Sequence, residues 1–234
     1  SDGSSGIDGS SGTDGGSGTD GGGGGADLPI CDEINVGGTR VAPNMLLVLD
    51  KSGSMDDPIS SSSWRTKMDD LQDAVEMLLI EGEGEINFGL MPYPDGDRCQ
   101  PGEIDEPIGT AVNTIRNAVN SLYPNGGTPT GTSLQEADAY FQNYNGEGAD
   151  FVLLVTDGMP TCPNGDGTDV TQADINLSLS AVVDLKSHGT STFVIGLGED
   201  LNDTDPDLLN DMAEAGGWPH AGSTKYYQAN SLES

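Results

Sequence analysis

Met45-Leu46-Leu47-Val48-Leu49-Asp50-Lys51-Ser52-Gly53-Ser54 runs from a short apolar stretch into a carboxylate followed by two hydroxyls at alternate positions. The apolar stretch reads as a short buried strand. Past a strand end, alternate side chains can converge on one point, so Asp50, Ser52 and Ser54 offer three hard oxygen donors there. Such donors suit Mg²⁺, Ca²⁺ or Mn²⁺ rather than zinc or copper. Alone the pattern says little, because serine and glycine abound in this chain. Two further segments give it weight. Gly126-Gly127-Thr128-Pro129-Thr130-Gly131 is a Gly-rich loop with a hydroxyl, and Phe151-Val152-Leu153-Leu154-Val155-Thr156-Asp157-Gly158 is a second buried strand ending in Asp-Gly.

Outward from these segments, strands and helices alternate. Ile86–Tyr93, Ala149–Thr156, Thr190–Leu197 and Lys225–Ala229 read as strands beside Met45–Asp50, and Cys99–Pro107 holds a short edge strand around Ile104. Apolar spacing predicts helices over Trp64–Ile80, Thr110–Leu122, Ser133–Tyr144, Val170–Lys186 and Pro206–Ala215. The expected architecture is α/β: a doubly wound, Rossmann-like, mostly parallel six-stranded sheet flanked by helices. In such sheets ligands bind beyond the carboxyl ends of the strands. Asp50 and Asp157 both sit at such ends.

The three segments, in this order, resemble the von Willebrand factor A domain and its metal-ion-dependent adhesion site. The resemblance covers Pro43 to the C-terminus. It implies that Asp50, Ser52, Ser54, Thr128 and Asp157 surround one divalent cation, Mg²⁺ or else Mn²⁺ or Ca²⁺, with one coordination position left for a partner's carboxylate. It further implies that the serines bind directly, and Thr128 and the aspartates directly or through water. The alternative is that these strand-end residues merely cap helices. In the implied fold Cys99 and Cys162 lie above the same sheet edge, so a disulfide between them is expected. The alternative is three buried or unpaired thiols; with the bridge, Cys31 is left free or paired between chains. Members of the family usually add a final helix after the last strand. Only Ser231-Leu232-Glu233-Ser234 follow Asn230 here, so that helix is expected to be missing, through fragmentation or processing.

Three segments divide the chain. Residues 1–27 repeat with period six, from Ser1-Asp2-Gly3-Ser4-Ser5-Gly6 onward, and read as a flexible charged tether that cannot build a core. A calcium-ordered Asp-Gly repeat and a glycosylated stalk are the sharper alternatives. Residues 28–42 are a lead-in, and residues 43–234 are the A domain. The net charge of −31, from 39 acidic against 8 basic residues, argues against nucleic acid or an anionic membrane surface as partner. No apolar run is long enough to span a bilayer. The tether and the Cys-bearing loops look most like bacterial surface A-domain proteins, so the expected location is extracellular or on the cell surface. A lipid anchor upstream of Ser1, in an outer membrane, would fit.

Secondary candidates remain. Asp56 and Asp57 resemble the paired aspartates that hold a second cation in integrin β subunits, although here they sit one position closer; solvated loop carboxylates are the alternative. Asn164, Asp166, Thr168 and Asp169 alternate oxygen ligands as a calcium loop would, but no glutamate completes an EF-hand. A polar turn before the helix is the simpler reading. Asp203-Thr204-Asp205 reads as a helix cap. The two histidines, His188 and His220, lack any nucleophile context, and the chain has neither a P-loop nor GxGxxG. The leading expectation is therefore a non-enzymatic module binding a protein partner through that partner's Asp or Glu. A structural role driven by the tether or C-terminus, and a metal-dependent hydrolase, are the alternatives.

Overall fold

In the computed structural model, residues 40–96, 98–198 and 206–229 are described. The tether, Cys31, the Asp203–Asp205 cap and the segment after Ala229 lie outside them. Among the described residues, five strands form one sheet: β1 (Asn44–Asp50), β2 (Asn87–Tyr93), β3 (Asp150–Thr156), β4 (Ser191–Leu197) and β5 (Tyr227–Ala229). Their order is β2-β1-β3-β4-β5, and every pairing is parallel. Five helices accompany them: α1 (Lys67–Glu81), α2 (Val112–Val119), α3 (Thr130–Asn143), α4 (Gln172–Ser187) and α5 (Pro206–Gly216).

The alternation of side chains along the strands divides the core in two. Leu46, Val48, Val152, Leu154 and Val194 face α3, α4 and α5. Leu47, Leu49, Leu90, Leu153 and Val155 face α1 and α2. Leu46 to Leu49 are all buried, as a central parallel strand with helices on both faces demands. Burying both faces explains the unbroken apolar run.

The expected sixth strand does not form among the described residues. Around Ile104 the chain makes only an isolated antiparallel bridge between Leu90 and Glu106. Pro101 and Pro107 lack amide donors, and Gly102 approaches so closely that a Cβ would lie 2.8 Å from the Pro92 carbonyl. The Leu90 amide nevertheless donates to Glu106 O at 2.8 Å, so the segment covers the β2 edge without extending it as a strand.

The chain leaves β1 for β2 on one side and returns to β3 on the other. β1 and β3 are thus neighbours on either side of the point where the winding reverses, and a crevice opens beyond their carboxyl ends. Asp50 ends β1, and Asp157 directly follows β3.

Candidate metal centre

Asp50 is fully buried. One carboxylate oxygen accepts the Ser52 amide at 2.8 Å, and the other accepts the Thr156 hydroxyl at 2.7 Å. The Tyr93 hydroxyl, at 3.4 Å, leans on the second oxygen. Beyond Asp50 the chain turns into a single 3₁₀ turn, Gly53–Asp56, which swings Ser52 and Ser54 back over the strand ends. Their hydroxyls lie 3.3 Å apart, and Ser54 donates to Asp157 Oδ1 at 2.9 Å. Ser52, Ser54 and Asp157 are thereby linked in one chain of oxygen atoms.

The Gly-rich loop is bound to the same turn by its backbone. The Gly53 amide donates to Gly126 O at 3.0 Å, and the Asn125 amide to Lys51 O at 2.7 Å. Thr128 is buried and bracketed by Thr161, whose hydroxyl accepts the Thr128 amide at 2.9 Å and whose amide donates to Thr128 O at 3.1 Å. Gly127 has to be glycine: a Cβ would stand 2.7 Å from Gly167 Cα and 2.9 Å from Cys162 Sγ. Cys99 and Cys162 form a disulfide, which clamps the loop after β2 to the loop after β3.

The electrostatics are unbalanced. Burial, reinforced by the negative charge of Asp157, pushes the Asp50 carboxyl up to about 7 against the opposing pull of its Ser52 and Thr156 hydrogen bonds. Burial and the nearby Asp50 carboxylate push the Tyr93 phenol well up, so it stays a neutral donor. Two buried carboxylates with hydroxyls between them form a hard oxygen set. Its strain in charge is the kind a dication relieves, and the donors fit Mg²⁺ or Mn²⁺. Among the described residues no group of three or more His, Cys, Asp or Glu is placed to hold a metal, so the hydroxyls are essential to this set.

The secondary candidates are less assembled. Asp56, which ends the 3₁₀ turn, and Asp57, which follows it, are exposed, and the Asp57 backbone carbonyl accepts the Lys67 amide at 2.9 Å. In the loop after β3, Asp166 accepts the Thr168 hydroxyl at 2.5 Å and amide at 3.2 Å, and these bonds hold its carboxyl below the usual range. Asn164 turns elsewhere: its amide and side chain each donate at 2.9 Å to Asp174. Asp174, which sequence inspection passed over, is fully buried at the start of α4 and also takes the Gly165 amide at 2.8 Å and the Thr171 hydroxyl at 2.7 Å. Burial opposes its charge, yet these donors prevail and lower its carboxyl.

Lys67 was missed as well. Its ammonium donates to Asp157 Oδ2 at 2.8 Å, with both side chains buried. A lysine in an amphipathic helix ordinarily marks the solvated face, and only its place at the helix start, just after the hydroxyl-rich loop, sets this one apart in sequence.

Comparison with known proteins identifies the fold. The family model for the von Willebrand factor type A domain matches residues 44–234. Among curated proteins, inter-alpha-trypsin inhibitor heavy chain H2 of Sus scrofa is 24% identical over 168 residues, 69% of this chain and 16% of that protein. The chain thus matches about a sixth of its curated relative's length. Among solved structures, the PilB minor pilin of Streptococcus sanguinis superposes with a TM-score of 0.60 at 17% identity, covering 82% of this chain and 58% of the pilin. Manganese-loaded TRAP protein of Plasmodium vivax gives 0.58 at 17% identity, covering 80% of this chain and 68% of that one.

Proposed function

The chain belongs to the von Willebrand factor type A domain family, and from that premise we propose that it is an extracellular binding module that captures a protein partner through a divalent cation. Asp50, Ser52, Ser54, Thr128 and Asp157 would hold the ion. The bound ion supplies a Lewis-acidic position for one carboxylate of the partner, an Asp or Glu. The residues of the chain do the rest: Asp50 and Asp157 neutralise the ion's charge, and Ser52 and Ser54 supply neutral donors that leave it electrophilic.

The observation that carries this reading is the oxygen chain from Ser52 through Ser54 to Asp157, built beside a buried Asp50 at the switch point of the sheet. The manganese named with the TRAP neighbour supports the choice of a hard dication. A neighbour that is a pilin, and a disulfide of the kind that persists in oxidising compartments, support a location outside the cell. The likeness to a pilin supports an adhesive rather than an enzymatic reading.

Titration calorimetry of the purified chain with Mn²⁺ tests the metal. One stoichiometric ion is expected, lost in Asp157→Ala and weakened less in Thr128→Ala. An unchanged isotherm in Asp157→Ala refutes the site.

A further inference from the structure

Lys67 is one of 8 lysines and arginines in a chain of 234, and its charge is placed against the Asp157 carboxylate rather than in solvent. Its side chain is 9% exposed and that of Asp157 1%. Three elements prepare the position. The Lys67 amide is fixed on Asp57 O at 2.9 Å, which starts α1 beneath the 3₁₀ turn. The Asp157 carboxylate divides its oxygens, one to Ser54 and the other to the ammonium. Gly198, at φ +108° beyond β4, leaves room for the lysine stem, since a Cβ there would lie 3.2 Å from Lys67 Cε. Buried lysines are rare unless paired, and a buried pair needs such support.

We propose that Lys67 sets the charge of the adhesion site, lowering its hold on the metal while raising its hold on the partner's carboxylate. The inference rests on the metal-site reading above. With an ion in place of the Asp50 proton, Asp50 and Asp157 together carry two negative charges, and Lys67 returns one positive charge. A dication then leaves the loaded site with a net charge of plus one instead of zero. That excess attracts an incoming carboxylate, and the burial of the Lys67 and Asp157 side chains limits how far solvent screens it. The same ammonium repels the ion it sits beside, so the metal binds less tightly and exchanges more readily. In the metal-free protein the lysine stands in for part of the missing charge and keeps Asp157 in place.

A purely structural role for Lys67 predicts that both affinities fall together when it is removed. The charge role predicts that they move in opposite directions. The experiment uses the full chain with Lys67→Met, which keeps the stem and removes the charge, and Lys67→Arg, which keeps the charge. Mn²⁺ affinity is read by calorimetry, and carboxylate affinity by the relaxation of ¹³C-acetate at the Mn²⁺-loaded site. Lys67→Met is expected to bind Mn²⁺ more tightly and acetate more weakly, each by on the order of tenfold. Lys67→Arg should remain within about threefold of the parent in both, because the charge is retained.

If Lys67→Met does not fold, Lys67→Gln replaces it, since the amide keeps a donor toward Asp157 without the charge. Weaker Mn²⁺ binding in the folded neutral variant, or acetate affinity unchanged, overturns the proposal while leaving the metal site standing. A parent chain that binds no stoichiometric Mn²⁺ overturns both.

Discussion

Without metal, Asp50 should make the protein less stable as the pH rises. The folded chain holds the Asp50 proton up to about 7, against an ordinary value of 3.8 that the unfolded chain retains. Between those values the folded state binds more protons than the unfolded state, so stability falls with increasing pH. The penalty is absent below about pH 4 and complete above about pH 7. Each unit corresponds to about 1.4 kcal/mol, which gives a ceiling of about 4 kcal/mol, reduced by whatever water enters the open crevice. Asp50→Asn removes this penalty. It leaves one carbonyl oxygen to accept from Ser52 or Thr156, and the weakened bond costs about 1 kcal/mol at every pH. Urea unfolding in EDTA should therefore give curves that cross at about pH 4.5: the variant less stable than the parent by about 1 kcal/mol at pH 3, and more stable by a few kcal/mol at pH 8. Saturating Mg²⁺ should stabilise only the parent, and most above pH 7, where no proton competes for Asp50. Parallel stability-against-pH profiles for the two proteins in EDTA refute the reasoning.

Reduction of the Cys99–Cys162 bridge, 63 residues apart in sequence, should cost about 4 kcal/mol through loop-closure entropy, read as a lower urea midpoint for the Cys99→Ser/Cys162→Ser variant. Gly127→Ala should cost about 1–3 kcal/mol and weaken Mn²⁺ binding, because the new methyl displaces Gly167 and the disulfide beside Thr128; calorimetry and urea unfolding check both effects. Asp174→Ala should cost about 2–4 kcal/mol by stranding the buried Gly165 amide and releasing the Asn164 amide, with a rise in hydrogen exchange over residues 161–169 as the second readout.

Most of the fold was legible because parallel strands covered on both faces must be apolar throughout, and β1, β3 and β4 are nearly so. The helix starts were less legible. α1 begins at Lys67, not near Trp64, because Thr66 and Asp69 form a capping box that sets its first turn. α3 begins at Thr130, before the apolar pattern does. Its first turns carry the buried Thr130, Gly131 and Ser133, and α4 comes so close that a Cβ on Gly131 would stand 2.8 Å from Leu177 Cγ. Small polar residues at a tight helix crossing do not look apolar. The edge around Ile104 failed for the opposite reason: the residue is apolar, but Pro101 and Pro107 on either side lack the amide donors that a longer ladder needs.

The candidate site divides along the same line. Asp50, Ser52, Ser54 and Asp157 were legible because each lies within a few residues of a strand end, where local spacing dictates position. Lys67 and Asp174 were not, because their meaning lies in partners 90 and about 10 residues away and in burial that no local pattern encodes. The two missed groups explain how the visible ones are tolerated. Two carboxylates at neighbouring strand ends would ordinarily relieve their repulsion by moving apart. Here the disulfide, the Asp174 network and the amides crossing from Gly53 and Asn125 hold the surrounding loops in place. Lys67 balances one carboxylate, and the other is left to a proton or a metal ion. Rigidity, rather than the number of ligands, is what keeps that charge imbalance available for a cation to relieve.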